Sequence, residues 1–204
     1  MVLDFSDASN GKVAVEKTLE HFGRLDVLVN NAGTFARTIG DDAESYQSYR
    51  RVMSVNLDST VSATLAAIDA LKKTQGQVIF ISSTASTKAH EKAYAYCASK
   101  AAMTMFAKCL AIDLATQVKI NVVSPGPVRT EIFKTIGLSR ELAGHVMAPT
   151  TLEGRTGEPE EIAEVVHFLL TPSAKFITGH ELFVDGGYLL KESLSNVVKA
   201  KKEG

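Results

Sequence analysis

Hydrophobic positions along this chain fall into two alternating kinds of segment. Short runs rich in β-branched residues occur at Leu25–Asn30, Gln77–Ser82, Lys119–Val123 and His180–Val184. None alternates cleanly between apolar and polar residues, as expected for strands buried on both faces. Between them the apolar residues step by three and four, the spacing of one helix face. The stretch from Asp7 to Phe22 places Val15, Leu19 and Phe22 together, and Ser45 to Lys73 does the same for Val61, Leu65, Ile68 and Leu71. Tyr94 to Ala115 aligns Met103, Phe106 and Leu110. Glu158–Pro159–Glu160–Glu161 opens a further helix, because proline suits a first turn and carboxylates suit the positive end of the helix dipole. That helix is expected to run to about Leu170 and to stop before Pro172.

Strand–helix–strand alternation at this spacing predicts an α/β fold: a Rossmann-like, doubly wound parallel sheet covered by helices on both faces. One domain is expected over 1–190, with a tail at 191–204. Val2–Phe5 reads as a short strand. The stretch from Pro125 to Thr156 holds three of the five prolines and only short helical patches. It leaves the carboxyl end of a strand, where open α/β sheets bind ligands, so it is the expected substrate loop.

Composition narrows the function. The chain is 45% hydrophobic and 22% charged with a formal net charge of −1, so no polyelectrolyte partner is implied. No basic stripe for nucleic acid occurs before the tail residues Lys199, Lys201 and Lys202. No apolar run reaches the roughly 18 residues a membrane helix needs. No signal-peptide pattern opens the chain, and a cytoplasmic location is expected. Cys97 and Cys109 lie in apolar helical segments and read as two reduced, buried thiols. The histidines are scattered, so no metal site is expected.

Candidate chemistry centres on Tyr96 and Lys100. Four residues apart on a helix, the two side chains share a face. A phenol with pKa near 10 is a poor acid–base group at neutral pH, and a nearby cation lowers that pKa. Alone, this spacing also fits a surface pair or a half-buried core tyrosine. Ser83 follows the run Gln77–Ser82 and points into the ligand crevice of such a sheet; it also fits a helix cap. Asn30–Asn31–Ala32–Gly33 follows another strand and also fits a plain turn. Asn56 sits mid-helix, where asparagine needs a reason. Pro125–Gly126 with Thr130 follows a third strand.

Taken in order, these features resemble the short-chain dehydrogenase/reductase family. That pattern has a strand-end Asp, an NNAG turn, a mid-helix Asn, a strand-end Ser, a YxxxK helix, a PG turn with a following Thr, and a closing strand with VDGG. This chain shows Asp4, Asn30–Gly33, Asn56, Ser83, Tyr96–Lys100, Pro125–Gly126 with Thr130, and Val184–Asp185–Gly186–Gly187. The resemblance implies an NAD- or NADP-dependent oxidoreductase that interconverts a carbonyl and a secondary alcohol. Tyr96 is then the acid–base residue, Lys100 lowers its pKa and binds the nicotinamide ribose, and Ser83 orients the substrate oxygen. Asn56 holds a water linking Lys100 to solvent. Asp4 and the Phe5 backbone meet the adenine, Asn30, Ala32 and Gly33 line the adenosine ribose, and Val128 and Thr130 contact the carboxamide. A small-molecule substrate is implied, and a homo-oligomer formed through helices 42–73 and 94–115.

The family's glycine-rich turn, TGxxxGxG, does not occur in this sequence. By analogy the chain starts at the third strand, lacking roughly fifty residues that carry the first strand–helix–strand unit. Two expectations follow. Cofactor binding is weakened, because the pyrophosphate loses its cradle of backbone N–H groups. The strand Leu25–Asn30 becomes an exposed edge. An alternative reading is a non-catalytic truncated isoform that pairs with full-length relatives.

Overall fold

The computed structural model describes residues 1–36 and 43–191. Four strands form one parallel sheet in the order β1–β2–β3–β4: β1 Val27–Asn30, β2 Gln77–Ile81, β3 Lys119–Pro125 and β4 Glu181–Val184. The central pair explains the apolar runs. Val78, Ile79 and Phe80 on β2 are buried, and so are Ile120, Val122 and Val123 on β3. Val78 pairs with Ile120 and Phe80 with Val122, so both strands present the same residues to the same face.

Each face has its own core. On one side Val78, Phe80, Ile120 and Val122 meet Val15, Ala67, Leu71, Met103, Ala107 and Leu110 from α1 (Ser9–Phe22), α3 (Ser59–Thr74) and α4 (Tyr94–Asp113). On the other side Ile79 and Val123 meet Leu169, with Ile162, Val165 and Val166 of α6 (Pro159–Leu170) packed around them. The doubly wound, Rossmann-like architecture is therefore present. α6 begins at Pro159, and a capping box between Glu158 and Glu161 satisfies its free N–H groups.

Helix α1 lies close against α3 because Gly11 has no side chain. A Cβ there would stand 2.1 Å from the carbonyl oxygen of Ser59. The long helix expected over 45–73 is interrupted. α2 (Ala43–Met53) passes into a π-helical turn, Ser54–Asp58, before α3 begins. Carbonyls in this wider turn are met by side chains: Ser59 Oγ donates to Val55 O at 2.7 Å and Thr60 Oγ1 to Asn56 O at 3.0 Å.

Several expectations change. Val2–Phe5 is not a strand. No strand lies beside β1 on that side among the described residues, so these amides have no ladder to join. Phe22 and Leu65, expected on inward faces, are 70% and 54% exposed. Phe22 is the last residue of α1, past the end of the contact with α3, and rests on His21 instead. Cys109 is exposed and Cys97 half-buried, both as free thiols, because the narrow buried stripe of α4 runs through Met103, Ala107 and Leu110. The expected edge is present: β1 ends the sheet with Val29 41% exposed. Asp42 and the tail beyond Lys191, with its three lysines, lie outside the described residues.

Candidate active site

The carboxyl ends of the parallel strands converge on α4, and the candidate residues gather there. Beyond β2 the chain turns at Ser82 and Ser83 into a 3₁₀ turn, Thr84–Ser86. Ser83 caps this turn, with its Oγ accepting from Ala85 N at 3.1 Å. That bond uses an oxygen lone pair and leaves the hydroxyl proton free to be donated. Ser82 turns the other way: its Oγ donates to Lys100 O at 3.1 Å and lies 2.9 Å from Thr104 Oγ1, tying the strand end to α4.

On α4, Lys100 is 3% exposed. Its Nζ donates to Ile81 O at 2.9 Å and stands 5.7 Å from the centroid of the Tyr96 ring. Among the described residues this is its single hydrogen bond, so an ammonium with three donors keeps two unspent. Burial lowers the Lys100 pKa from 10.5 to about 8. Burial also raises that of Tyr96, while the Ser83 hydroxyl beside the phenol pulls the other way. The expected lowering of the phenol by Lys100 is thus not met in this state. Desolvation is the leading cause for both groups, and Lys100 is not among the causes of the Tyr96 shift.

Asn56 occupies the middle of the π turn and is completely buried. Its amide grips the chain after β1: Oδ1 accepts from Thr34 N at 2.7 Å, and Nδ2 donates to Thr34 O at 3.0 Å and Ser99 Oγ at 3.1 Å. Both amide protons are spent, and one lone pair of Oδ1 remains. The widened turn gives this mid-helix asparagine its reason, since it aims the amide at backbone that a regular helix surface would not reach. Gly33 lies where Asn56 and Lys100 meet. A Cβ there would stand 3.5 Å from Asn56 Oδ1 and 3.6 Å from Lys100 Nζ.

The remaining sequence-derived residues divide. Phe5, Asn30 and Ala32 line one groove of about 170 Å³ along the free edge of β1. The Asn30 side chain is buried and donates to Thr64 Oγ1 at 2.9 Å. Asp4 is exposed and does not line the groove; its carboxylate accepts from Ser6 N at 2.9 Å. Hydrogen bonds from Ser6 hold that carboxyl below the usual range. Val128 forms a parallel bridge with Gly157. Thr130 caps the 3₁₀ helix Glu131–Ile136 in the expected substrate loop. Neither hydrogen-bonds to Ser83, Tyr96 or Lys100.

Sequence reasoning missed Phe35 and Phe133. The Phe35 ring meets Tyr96 edge-on at 5.2 Å and Phe133 at 5.5 Å. Thr135 Oγ1 donates to Phe35 O, tying the segment after β3 to the segment after β1. The available signal was two phenylalanines, one following the NNAG turn and one in the loop. Neither carries a spacing rule. Ser99, inside the YxxxK stretch, also went unread. Its Oγ donates to Tyr96 O and receives the Asn56 amide. No group of His, Cys, Asp or Glu able to hold a metal is found among the described residues.

A parallel α/β sheet with a buried lysine, a tyrosine one turn before it and a capping serine at the strand end describes an oxidoreductase of the nucleotide-binding class. Comparison with known proteins makes this specific. The family profile described as Enoyl-(Acyl carrier protein) reductase matches residues 1–189. Cyclopentanol dehydrogenase of Comamonas testosteroni is 35% identical over 188 residues, covering 91% of this chain and 74% of that protein. Trans-4-hydroxycyclohexanecarboxylate dehydrogenase of Sinomonas cyclohexanicum is 37% identical over 186 residues, covering 91% and 68%. A cofactor-bound short-chain dehydrogenase/reductase from Caenorhabditis elegans superposes with a TM-score of 0.85 at 28% identity, covering 95% of this chain and 76% of that one. The chain belongs to the short-chain dehydrogenase/reductase family, whose dehydrogenases use NAD(P).

Proposed function

We propose that this chain interconverts a secondary alcohol and its ketone, with Tyr96 as the proton-transfer residue. One observation carries this reading: the buried Lys100 ammonium, with two donors unspent, lies beside the Tyr96 ring, and the Ser83 hydroxyl flanks the phenol. Ser83, its lone pair committed to Ala85 N, donates to the substrate oxygen and holds it next to Tyr96 Oη. In reduction the phenol gives its proton to that oxygen; in oxidation it takes one back. A bound nicotinamide cofactor supplies or receives the hydride. Lys100, with its unspent donors, would hold the cofactor's ribose, and the lack of a Cβ at Gly33 leaves the space beside its ammonium open. Asn56 fixes the Thr34 backbone, and its last Oδ1 lone pair is placed to accept from a water beside Lys100.

The described residues fit the nicotinamide and ribose end of the cofactor better than its phosphates. Phe5, Asn30 and Ala32 line the edge groove, while Asp4 is bonded to Ser6, Val128 is paired with Gly157 and Thr130 caps its own 3₁₀ helix. The sequence contains no TGxxxGxG turn, so these 204 residues taken alone bind NAD(P)H weakly. The relatives named for ring alcohols and the aromatic wall of Phe35 and Phe133 support an apolar, ring-sized substrate.

Titration of the purified chain with NADH and NADPH, followed by turnover on cyclic ketones, tests the reading. Saturable binding with turnover that disappears in Tyr96→Phe supports it. Turnover that survives this substitution overturns the assignment of Tyr96.

A second reading rests on a separate observation. Leu65, Met105 and Ile112 on α3 and α4 are 54%, 60% and 77% exposed, which favours helix-to-helix association with another copy or a longer relative. If the chain binds no cofactor yet forms mixed oligomers with a full-length relative, the non-catalytic role holds instead.

A further inference from the structure

The proposed chemistry leaves one buried carboxylate unused. Glu181 is the first residue of β4, and its side chain is 7% exposed. Its three partners come from three different elements. Oε1 accepts from Ser86 Oγ at 2.8 Å and from Ser124 Oγ at 2.7 Å, and Oε2 receives Lys108 Nζ at 3.2 Å. A strand residue facing this layer would normally be apolar, as Leu182 and Val184 are on the opposite face. Burying a carboxylate is costly unless it is paired and hydrogen-bonded, and here both oxygens have partners and a lysine balances the charge.

The three partners are also the three supports of the candidate site. Ser86 closes the 3₁₀ turn that Ser83 caps: Ser86 N donates to Ser83 O at 2.9 Å, and Ala85 N donates to Ser83 Oγ. Ser124 precedes Pro125 and Gly126, where β3 leaves toward Val128 and the substrate loop. Lys108 lies on α4, two turns beyond Lys100. One carboxylate therefore joins the turn holding Ser83, the helix holding Tyr96 and Lys100, and the strand end leading to the loop.

We propose that Glu181 is a positioning residue of this site, fixing the Ser83 hydroxyl relative to Tyr96 through Ser86. This rests on the assignment of Ser83 and Tyr96 above. Without Glu181, the Thr84–Ser86 turn keeps its internal bonds, Ala85 N to Ser83 Oγ among them, but loses the side-chain hydrogen bond that ties it to β4, so the turn shifts as a unit and carries Ser83 with it. A displacement of about 1 Å at a reacting group lowers turnover by up to ~100-fold. Cofactor affinity depends on other residues and changes little.

The test compares Glu181→Gln, Glu181→Leu and Ser86→Ala by amide hydrogen exchange and by steady-state kinetics. The amide oxygen of glutamine still accepts from both serines, so Glu181→Gln retains exchange protection at Ala85–Thr87 and keeps kcat within about 3-fold of the wild type. Glu181→Leu and Ser86→Ala speed exchange at these amides by about 10-fold or more and lower kcat by at least about 10-fold, with the cofactor KM within 2-fold. Ser86→Ala leaves the Lys108 and Ser124 contacts in place, so it serves if Glu181→Leu does not fold. Wild-type exchange at Ala85–Thr87 in Ser86→Ala, or wild-type kcat in that variant, overturns the proposal. Exchange needs no turnover. If the wild type itself is inactive, the functional reading fails, and the exchange comparison still decides whether Glu181 holds the turn.

Discussion

At the scale of single residues, burial sets the chemistry more than pairing does. Lys100 is taken out of water with one hydrogen bond, so its pKa falls to about 8. The unfolded chain keeps this lysine charged up to about 10.5, so between these values it binds the extra proton and folding is favoured as pH rises. The contribution is present above about 10.5 and lost as pH falls through about 8. Urea unfolding should show wild type gaining about 2 kcal/mol relative to Lys100→Met between pH 7.5 and 9.5. Tyr96, raised by burial, is common to the wild type and the variant, so its own titration cancels in the comparison. Tyr96→Phe removes the proton donor itself, and turnover should fall by about 10²- to 10⁴-fold with cofactor affinity retained. Cofactor fluorescence titration beside initial rates would check both halves of that expectation.

At the scale of elements, the strands and most helices were legible because their cores obey simple periods. Val78 to Ile81 could only be a strand buried on both faces, and Met103, Phe106 and Leu110 could only be a helix stripe. The π turn was not legible, since its cause is tertiary: Asn56 is drawn to Thr34 and Ser99, which are distant in sequence. Asn56 nevertheless marked the place as an ill-fitting residue in a helix. The contact between α1 and α3 carries a testable cost. Alanine at Gly11 would drive a methyl group into the Ser59 carbonyl, next to the π turn. Thermal or urea unfolding should show Gly11→Ala destabilised by about 1–3 kcal/mol, through overpacking. An unchanged midpoint would show that the two helices part freely.

At the scale of the molecule, the parallel doubly wound sheet was legible from the alternation of strand and helix, and parallel strands deliver their carboxyl ends to one edge. The reading failed at Val2–Phe5, whose strand character needs a neighbour that the described residues do not supply, and it was silent on Phe35, whose contact with Tyr96 joins residues distant in sequence. Outer surfaces were half legible. The stripe of α4 bearing Met105 and Ile112 is exposed, and charge placed there should shift the association state. Analytical ultracentrifugation of Ile112→Glu is expected to show a lighter species than wild type at equal concentration, and identical profiles would remove α4 from the interface. The π turn also bears on how such a chain tolerates change in length. Each helical residue advances the spiral by about 100°. The widened turn absorbs about one residue more than a regular helix would, so losing a single residue from Ser54–Asp58 would smooth the helix into a regular rod with its two flanks still in phase. What such a trim removes is the bulge that carries Asn56 to Thr34 and Ser99, while the stripe that seats α3 on the sheet keeps its direction, so a shortening by one position here strikes the site and spares the packing.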